Sequence, residues 1–367
     1  MTASAGSGTA DPRRLLLVAP SPELAAAATE AGFHVVTLAD TAGFTDEELR
    51  AHLRKTVLTH RVGRMVACGE ASSHPAVLET AEELGVSPNP ASAARLLADA
   101  VEVRNLLNLS GPQWQALALP DEPEHRPPLC DVGYGVETLT VEGMHRVTGI
   151  VEFRSGDGSF RDAIPGGGGP GEGRSGDGSP GERGSGGGGP GGGRFSERGE
   201  PGAEAGPDRA GGTATAPRGA GLAVHTFPAP ITGAEEAEIR ALATGLLDLV
   251  GYEFGYAFIR VARTGHGPRV VDAVPQQASW PVSRLIELTT GLVPERELVH
   301  ALSGKPLKAA MPVGCAAAVP MSDPPGAPGR IAAPADVREA RDGYVVLTAL
   351  TPAELASRTA ALLGCPI

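Results

Sequence analysis

Apolar and polar positions alternate with two different periods in the first third of the chain. Three short apolar runs, of the kind that form parallel strands buried on both faces, occupy residues 14–19, 33–38 and 62–67. Each run is followed by a stretch with helical periodicity, and the second such stretch opens with the capping box Thr45-Asp46-Glu47-Glu48. This alternation of strands and helices predicts a small doubly wound α/β domain over residues 13–110.

Two strands separated by a polar turn are the clearest feature of the second half of the chain. Residues 255–261 and 269–276 flank the turn Arg263-Thr264-Gly265-His266-Gly267, and a helix follows them. Amphipathic helices are also expected over residues 234–250 and 352–363.

Residues 154–220 have a very different composition. They consist mostly of Gly, Pro, Ser, Glu and Arg, and about half of the 51 glycines lie here. Such a segment cannot bury enough apolar surface to offset the entropy lost on ordering. We therefore expect a flexible, disordered insert, and a second disordered segment in the tail of residues 1–12.

Charge and cysteine content exclude several classes of protein. A net charge of −12 over 367 residues argues against a nucleic-acid binder, which needs a basic face. The apolar run after Arg14 stops at Pro20, too early for an export signal or a membrane span. The four cysteines are far apart and include no C-x-x-C pair, which is typical of a reducing cytoplasm. The sequence thus predicts a cytoplasmic protein with neither nucleic acid nor membrane as a partner.

Four further stretches carry recognisable motifs in a fixed order. They are Asn89 with Asp99, Arg104 and Gly111; Tyr134, Val136 and Glu137 followed by His145-Arg146-Val147; His225 to Pro230; and Arg269 to Gly291, which ends Glu287-Leu288-Thr289-Thr290-Gly291. In this order the motifs resemble those of the ATP-grasp superfamily, carboxylate–amine ligase type. The resemblance covers most of residues 14–310 outside the glycine-rich segment.

The resemblance implies a fold class of α/β plus α+β. Residues 13–110 would form the small doubly wound pre-ATP-grasp domain. Residues 111–153 and 221–305 would form a truncated ATP-grasp domain that carries the long Gly-rich disordered insert. Residues 306–367 would form a small C-terminal α+β module.

The sequence departs from the family where the family holds phosphate and metal. Ala100 stands where members have a lysine, and residues 109–135 contain neither a lysine nor a glycine-rich phosphate loop. On the hairpin, the family's metal-binding Glu and Glu-x-Asn-x-Arg positions hold Arg260, Asp272, Val274 and Gln276. Mg²⁺ prefers several hard oxygen ligands, and these positions supply one carboxylate. The chain is therefore identified as a divergent, degenerate member.

The candidate site residues follow from the resemblance. It implies that Glu137, His225 and Arg260 occupy cofactor-binding positions and that Asp272 is a remnant of the metal site; no catalytic residue is assigned. Residue by residue, simpler alternatives stay open. Arg260 either forms a cross-strand ion pair with Asp272 or binds an anion in place of the metal. Glu137 would otherwise be a solvated strand carboxylate, His225 a capping or packing residue, and Trp280 part of the core.

Three functions remain compatible with these residues. The first is an ATP-grasp homologue that has lost nucleotide and Mg binding, needs no cofactor, and acts as a binding or accessory subunit beside an active enzyme of the same pathway. The alternative is an active ATP-dependent carboxylate–amine ligase, using ATP and Mg, with a rebuilt or partner-completed site. A sensor of a small amino-acid-like ligand is the third.

Overall fold

The computed structural model describes residues 11–119, 129–154, 224–308, 311–320 and 337–363. The chain divides into two compact units, Met1–Ile164 with Ala220–Ile367, and Pro165–Gly219. The second unit lies outside the described residues, as does the predicted disordered insert from residue 155 onward.

The first described residues form the predicted doubly wound domain. Its elements are β1 (Asp11–Val18), α1 (Pro22–Glu30), β2 (His34–Leu38), α2 (Asp46–His60), β3 (Val62–Ala67), a short 3₁₀ helix (Gly69–Ser73) and α3 (Pro75–Glu83). The three strands form a parallel sheet in the order β2-β1-β3. Apolar side chains of β1 alternate between the two faces, where α1 covers one face and α2 with α3 cover the other. Burial on both faces explains the continuous apolar runs.

The next stretch forms three helices, α4 (Ala91–Ala98), α5 (Ala100–Leu109) and α6 (Pro112–Gln115). The periodicity from Ala93 to Leu106 predicts one helix, and this prediction was wrong. Asp99 adopts an extended backbone conformation, and its side chain accepts hydrogen bonds from the amides of Val101 and Glu102. The aspartate therefore ends one helix and caps the next.

A large antiparallel sheet forms the centre of the molecule. The described residues contribute β4 (Leu129–Val141), β5 (Met144–Arg154), β6 (Val224–Phe227), α7 (Gly233–Val250), β7 (Phe254–Thr264), β8 (Gly267–Val274), α8 (Val282–Thr290), α9 (Pro294–Leu302), β9 (Cys315–Pro320), β10 (Val337–Arg341), β11 (Tyr344–Ala349) and α10 (Pro352–Leu363). Eight strands among them pair in the order β10-β11-β9-β6-β5-β4-β7-β8. The strands of the predicted C-terminal module thus extend this sheet.

Helices cover both faces of the large sheet. On one face, α7 packs through Ile239, Leu242 and Leu246 against Val136 and Ile259. On the other face, α8 packs through Leu285 and Ile286 against Val151 and Phe258. No helix in the described part of the chain is long and apolar enough to cross a bilayer.

Candidate functional site

The β7–β8 hairpin carries the first pair of candidate residues. Arg260 on β7 lies directly opposite Asp272 on β8. The Nε atom of Arg260 donates to Oδ1 of Asp272 at 2.5 Å, and a guanidinium NH₂ group contacts Oδ2. The two side chains are only 10% and 19% exposed. The cross-strand ion pair, one of the two alternatives for Arg260, is therefore present in the structure.

Aromatic rings fill the surface beside this pair. Gly135 on β4 faces Arg260, and a Cβ atom at residue 135 would lie 2.6 Å from the ring of Phe153, too close for any side chain. Phe153 and Phe258 pack edge to face above this glycine, with ring centroids 6.4 Å apart. The glycine thus makes room for protein side chains.

Glu137 lies on the same face of the sheet, since it pairs with Phe258, two residues from Arg260. It is buried, with 1% of its surface exposed, so the alternative of a solvated strand carboxylate does not hold. Its carboxylate accepts hydrogen bonds from the Ala278 amide at 3.2 Å and from Thr148 Oγ1 at 3.2 Å. Burial raises the pKa of Glu137 to about 7, and these two bonds oppose the shift. Glu137 therefore fastens the loop before α8 to the sheet.

His225 lies on β6, with β5 and β4 between it and the strand of Arg260. Its ring packs edge-on against Phe153 at 4.8 Å and Tyr344 at 5.2 Å between centroids. Neither ring nitrogen has a hydrogen-bond partner among the described residues, and burial lowers the pKa of His225 to about 3. This is the environment of a neutral packing histidine.

Trp280 packs in the same aromatic group. Its ring centroid lies 5.8 Å from that of Tyr344, and the Arg341 guanidinium lies 5.9 Å above the indole. This agrees with the core-packing alternative.

A cavity of about 430 Å³ opens between the parallel sheet and the large sheet. It lies at the carboxyl ends of β1 and β3, where Ala19 and Cys68 line it, the edge at which open α/β sheets place their ligands. The loop after β8, including Gln276, forms another part of its wall. Sequence reasoning missed this cavity because its walls come from segments more than two hundred positions apart.

Asn89 holds the two sheets together beside the cavity. Its Nδ2 donates to the Phe254 carbonyl at 2.6 Å, and its Oδ1 accepts from the amides of Glu253 at 2.9 Å and Phe254 at 2.8 Å. Both the nitrogen and the oxygen of its side-chain amide thus attach the start of β7 to the domain that contains the parallel sheet. This explains physically why an asparagine stands in the first of the four motifs.

Comparison with solved structures finds proteins with a similar architecture. The chain is similar to an L-amino acid ligase from Bacillus licheniformis, with a TM-score of 0.60, 13% identity and coverage of 96% of this chain and 97% of that chain. It is also similar to a phosphoribosylglycinamide synthetase from Anaerococcus prevotii (TM-score 0.55, 8% identity, 96% and 98% covered). A glycinamide-RNase-transformylase T from Mycobacterium tuberculosis gives a TM-score of 0.57 at 15% identity, with 96% and 99% covered. These three are ATP-grasp enzymes. The chain has an ATP-grasp fold.

No protein-family model and no curated protein matches the chain. Identities of 8–15% show the ATP-grasp fold alone.

The hairpin of this ATP-grasp fold does not fit Mg²⁺. The cation would meet a guanidinium that already occupies both oxygens of Asp272, and two unit charges 4 Å apart repel by about 4 kcal/mol at an effective dielectric near 20. Val274 packs against the apolar cluster that contains the side chains of α8, and Gln276 lines the cavity, so neither residue adds a carboxylate to the hairpin. The described residues contain no group of three or more His, Cys, Asp or Glu side chains arranged to hold a metal ion.

The described part of the connection between α5 and β4 packs against the large sheet and its helix α7. Trp114 of α6 packs against Gly245 of α7, where a Cβ atom would lie 2.8 Å from the indole. Leu117 then accepts a hydrogen bond from the Val270 amide at 2.9 Å, which attaches this connection to β8. The described part of the interval therefore covers the edge of the sheet.

Proposed function

We propose that this ATP-grasp homologue has lost nucleotide and Mg²⁺ binding and acts as a non-catalytic binding protein. The observation that carries the proposal is the buried Arg260–Asp272 ion pair, at positions that the resemblance assigns to metal ligands. The guanidinium lies against both oxygens of Asp272 and repels a second cation, and opening the pair would leave two unpaired charges.

The surroundings of the pair support the same conclusion. Phe153 and Phe258 fill the space above Gly135, and Glu137 binds the loop before α8. The sequence between α5 and β4 contains no lysine or glycine-rich segment to bind phosphate. Phosphoryl chemistry depends on positive charge placed around the phosphates, and this segment supplies neither the lysine nor the loop that the resemblance would require.

The cavity supports a binding role. Its volume of about 430 Å³ lies within the range of roughly 300–1,000 Å³ usual for small-molecule sites. We therefore propose that the protein binds a small molecule there, as a sensor or as an accessory subunit of an active enzyme in the same pathway. Cys68 and Cys315 are free thiols, which fits the proposed cytoplasmic location.

The test is a search for ligase turnover. Purified protein is incubated with ATP, Mg²⁺ and a panel of amino acids, carboxylic acids and amines, and ADP formation is measured. The proposal predicts no ADP above the level of a reaction without protein. Amine-dependent ADP formation by wild type alone would instead support an active ligase with a rebuilt site.

A further inference from the structure

The proposed binding cavity has an apolar wall. Side chains from the parallel domain and from α9 line it, namely Leu24, Met65, Val66, Val77, Leu78 and Leu298. An apolar wall of this extent favours a ligand with a hydrocarbon or aromatic body. Binding such a ligand gains about 25 cal/mol of free energy for each Å² of apolar surface removed from water.

Most polar groups beside the cavity already have partners within the protein. The Tyr252 hydroxyl donates to the Tyr256 carbonyl at 2.8 Å, and the Tyr256 hydroxyl donates to the Pro294 carbonyl at 3.1 Å. Ser72 and Ser87 donate to backbone carbonyls of nearby residues at 2.6 Å each. These groups hold the walls in place and leave few donors for a ligand.

Glu295 is the exception. It lies half-buried in the first turn of α9. Among the described residues lining the cavity it is the one carboxylate, and none of them is a Lys, Arg or His. No described residue forms an ion pair with it. Gln276, Gln277 and Ser279 of the loop after β8 add amide and hydroxyl groups to the lining.

The charge around Glu295 is negative. Burial raises the pKa of Glu295, a hydrogen bond from its own backbone amide opposes the shift, and the nearby carboxylates of Glu23 and Glu287 raise the pKa further. A cation placed beside Glu295 would relieve this repulsion, whereas an anion would add to it.

We infer that the cavity binds a small primary amine with an apolar body and no carboxylate, its ammonium group paired with Glu295. This inference rests on the proposed function, because it assigns the ligand of the proposed binding site. It also narrows the amino-acid-like ligand expected from the resemblance. The carboxylate of an amino acid would find no cationic partner in the described lining of the cavity. It would also lie beside Glu295, which carries a charge of the same sign.

The test uses three probes that share one aromatic body: 2-phenylethylamine, L-phenylalanine and 3-phenylpropanoate. Full-length protein is titrated with each by calorimetry. We expect the amine to bind at least about tenfold more tightly than the other two, since only the amine pairs its charge without adding a buried anion.

Variants locate the binding. Glu295→Gln should weaken amine binding by about tenfold or more, because the ammonium then loses its charged partner, while Glu295→Asp keeps most of the affinity. Glu238→Gln, an exposed change of the same kind on α7, should bind like wild type. Thermal melts show that each variant is folded.

Three results would overturn the inference: no amine binding at millimolar concentration, equal binding by wild type and Glu295→Gln, or tighter binding of 3-phenylpropanoate than of the amine. Tight binding of the carboxylate would leave the proposed non-catalytic function standing. ADP formation with any probe would contradict the proposed function without bearing on which probe the cavity prefers.

Discussion

Arg260 and Asp272 face each other across the β7–β8 hairpin, and the guanidinium contacts both carboxylate oxygens of its partner. Both side chains are largely buried. The ion pair occupies positions that the resemblance assigns to metal ligands. The hairpin therefore keeps the ATP-grasp backbone while its side chains stabilise the sheet.

Removing one member of this pair should destabilise the protein strongly. Arg260→Met or Asp272→Leu alone leaves a buried, unpaired charge, and each should lower the free energy of unfolding by about 3–5 kcal/mol. The double variant Arg260→Met, Asp272→Leu removes both charges and should recover most of this loss. Urea unfolding of the three variants measures the coupling. Additive losses would show that the two side chains act independently.

Glu137 should make the stability of the protein depend on pH. The unfolded chain loses the Glu137 proton near 4.5, whereas the folded protein keeps it up to about pH 7. Folded protein thus holds more protons in this window, so the free energy of unfolding falls as the pH rises through it, by at most about 3 kcal/mol. Glu137→Gln cannot ionise and should lack this contribution.

Unfolding of wild type and Glu137→Gln at about pH 5 and pH 8 checks this linkage, since the window lies between these values. The variant should gain stability relative to wild type on going to the higher pH. A constant difference between the two proteins would mean that Glu137 titrates normally in the folded state.

His225 should act in the opposite direction. Its pKa is lowered from 6.5 to about 3 in the folded protein, so the stability that comes from holding it neutral is present above 6.5 and is lost as the pH falls. His225→Leu removes the titrating ring. Between about pH 7 and pH 4.5 wild type should lose roughly 2–3 kcal/mol more than the variant. Parallel stability curves for the two proteins would contradict the burial of a neutral histidine.

The sequence predicts the secondary structure well where one periodicity runs without interruption. The apolar runs of the parallel domain and the strands around residues 263–267 have such patterns, and both appear as predicted. The break at Asp99 was missed because a capping aspartate inside a helical period resembles a surface position of one helix. Local propensity alone does not distinguish a cap between two helices from a surface position within one helix.

The site was harder to predict than the fold. Glu137 looks like a solvated strand residue until the loop before α8 brings the Ala278 amide to it, a contact between residues far apart in sequence. The cavity was missed for the same reason, because its lining brings together residues as far apart in sequence as Ala19 and Glu295. By contrast, the Arg260–Asp272 pair could be anticipated because hairpin register places the two residues opposite each other.

The most direct test of the account is a calorimetric titration of the full-length protein with ATP in the presence of Mg²⁺. Since Arg260 holds the remaining carboxylate of the hairpin and aromatic rings fill the adjoining face, we predict no binding heat up to millimolar MgATP. Binding in the micromolar range that depends on Mg²⁺ would contradict the loss of the nucleotide site.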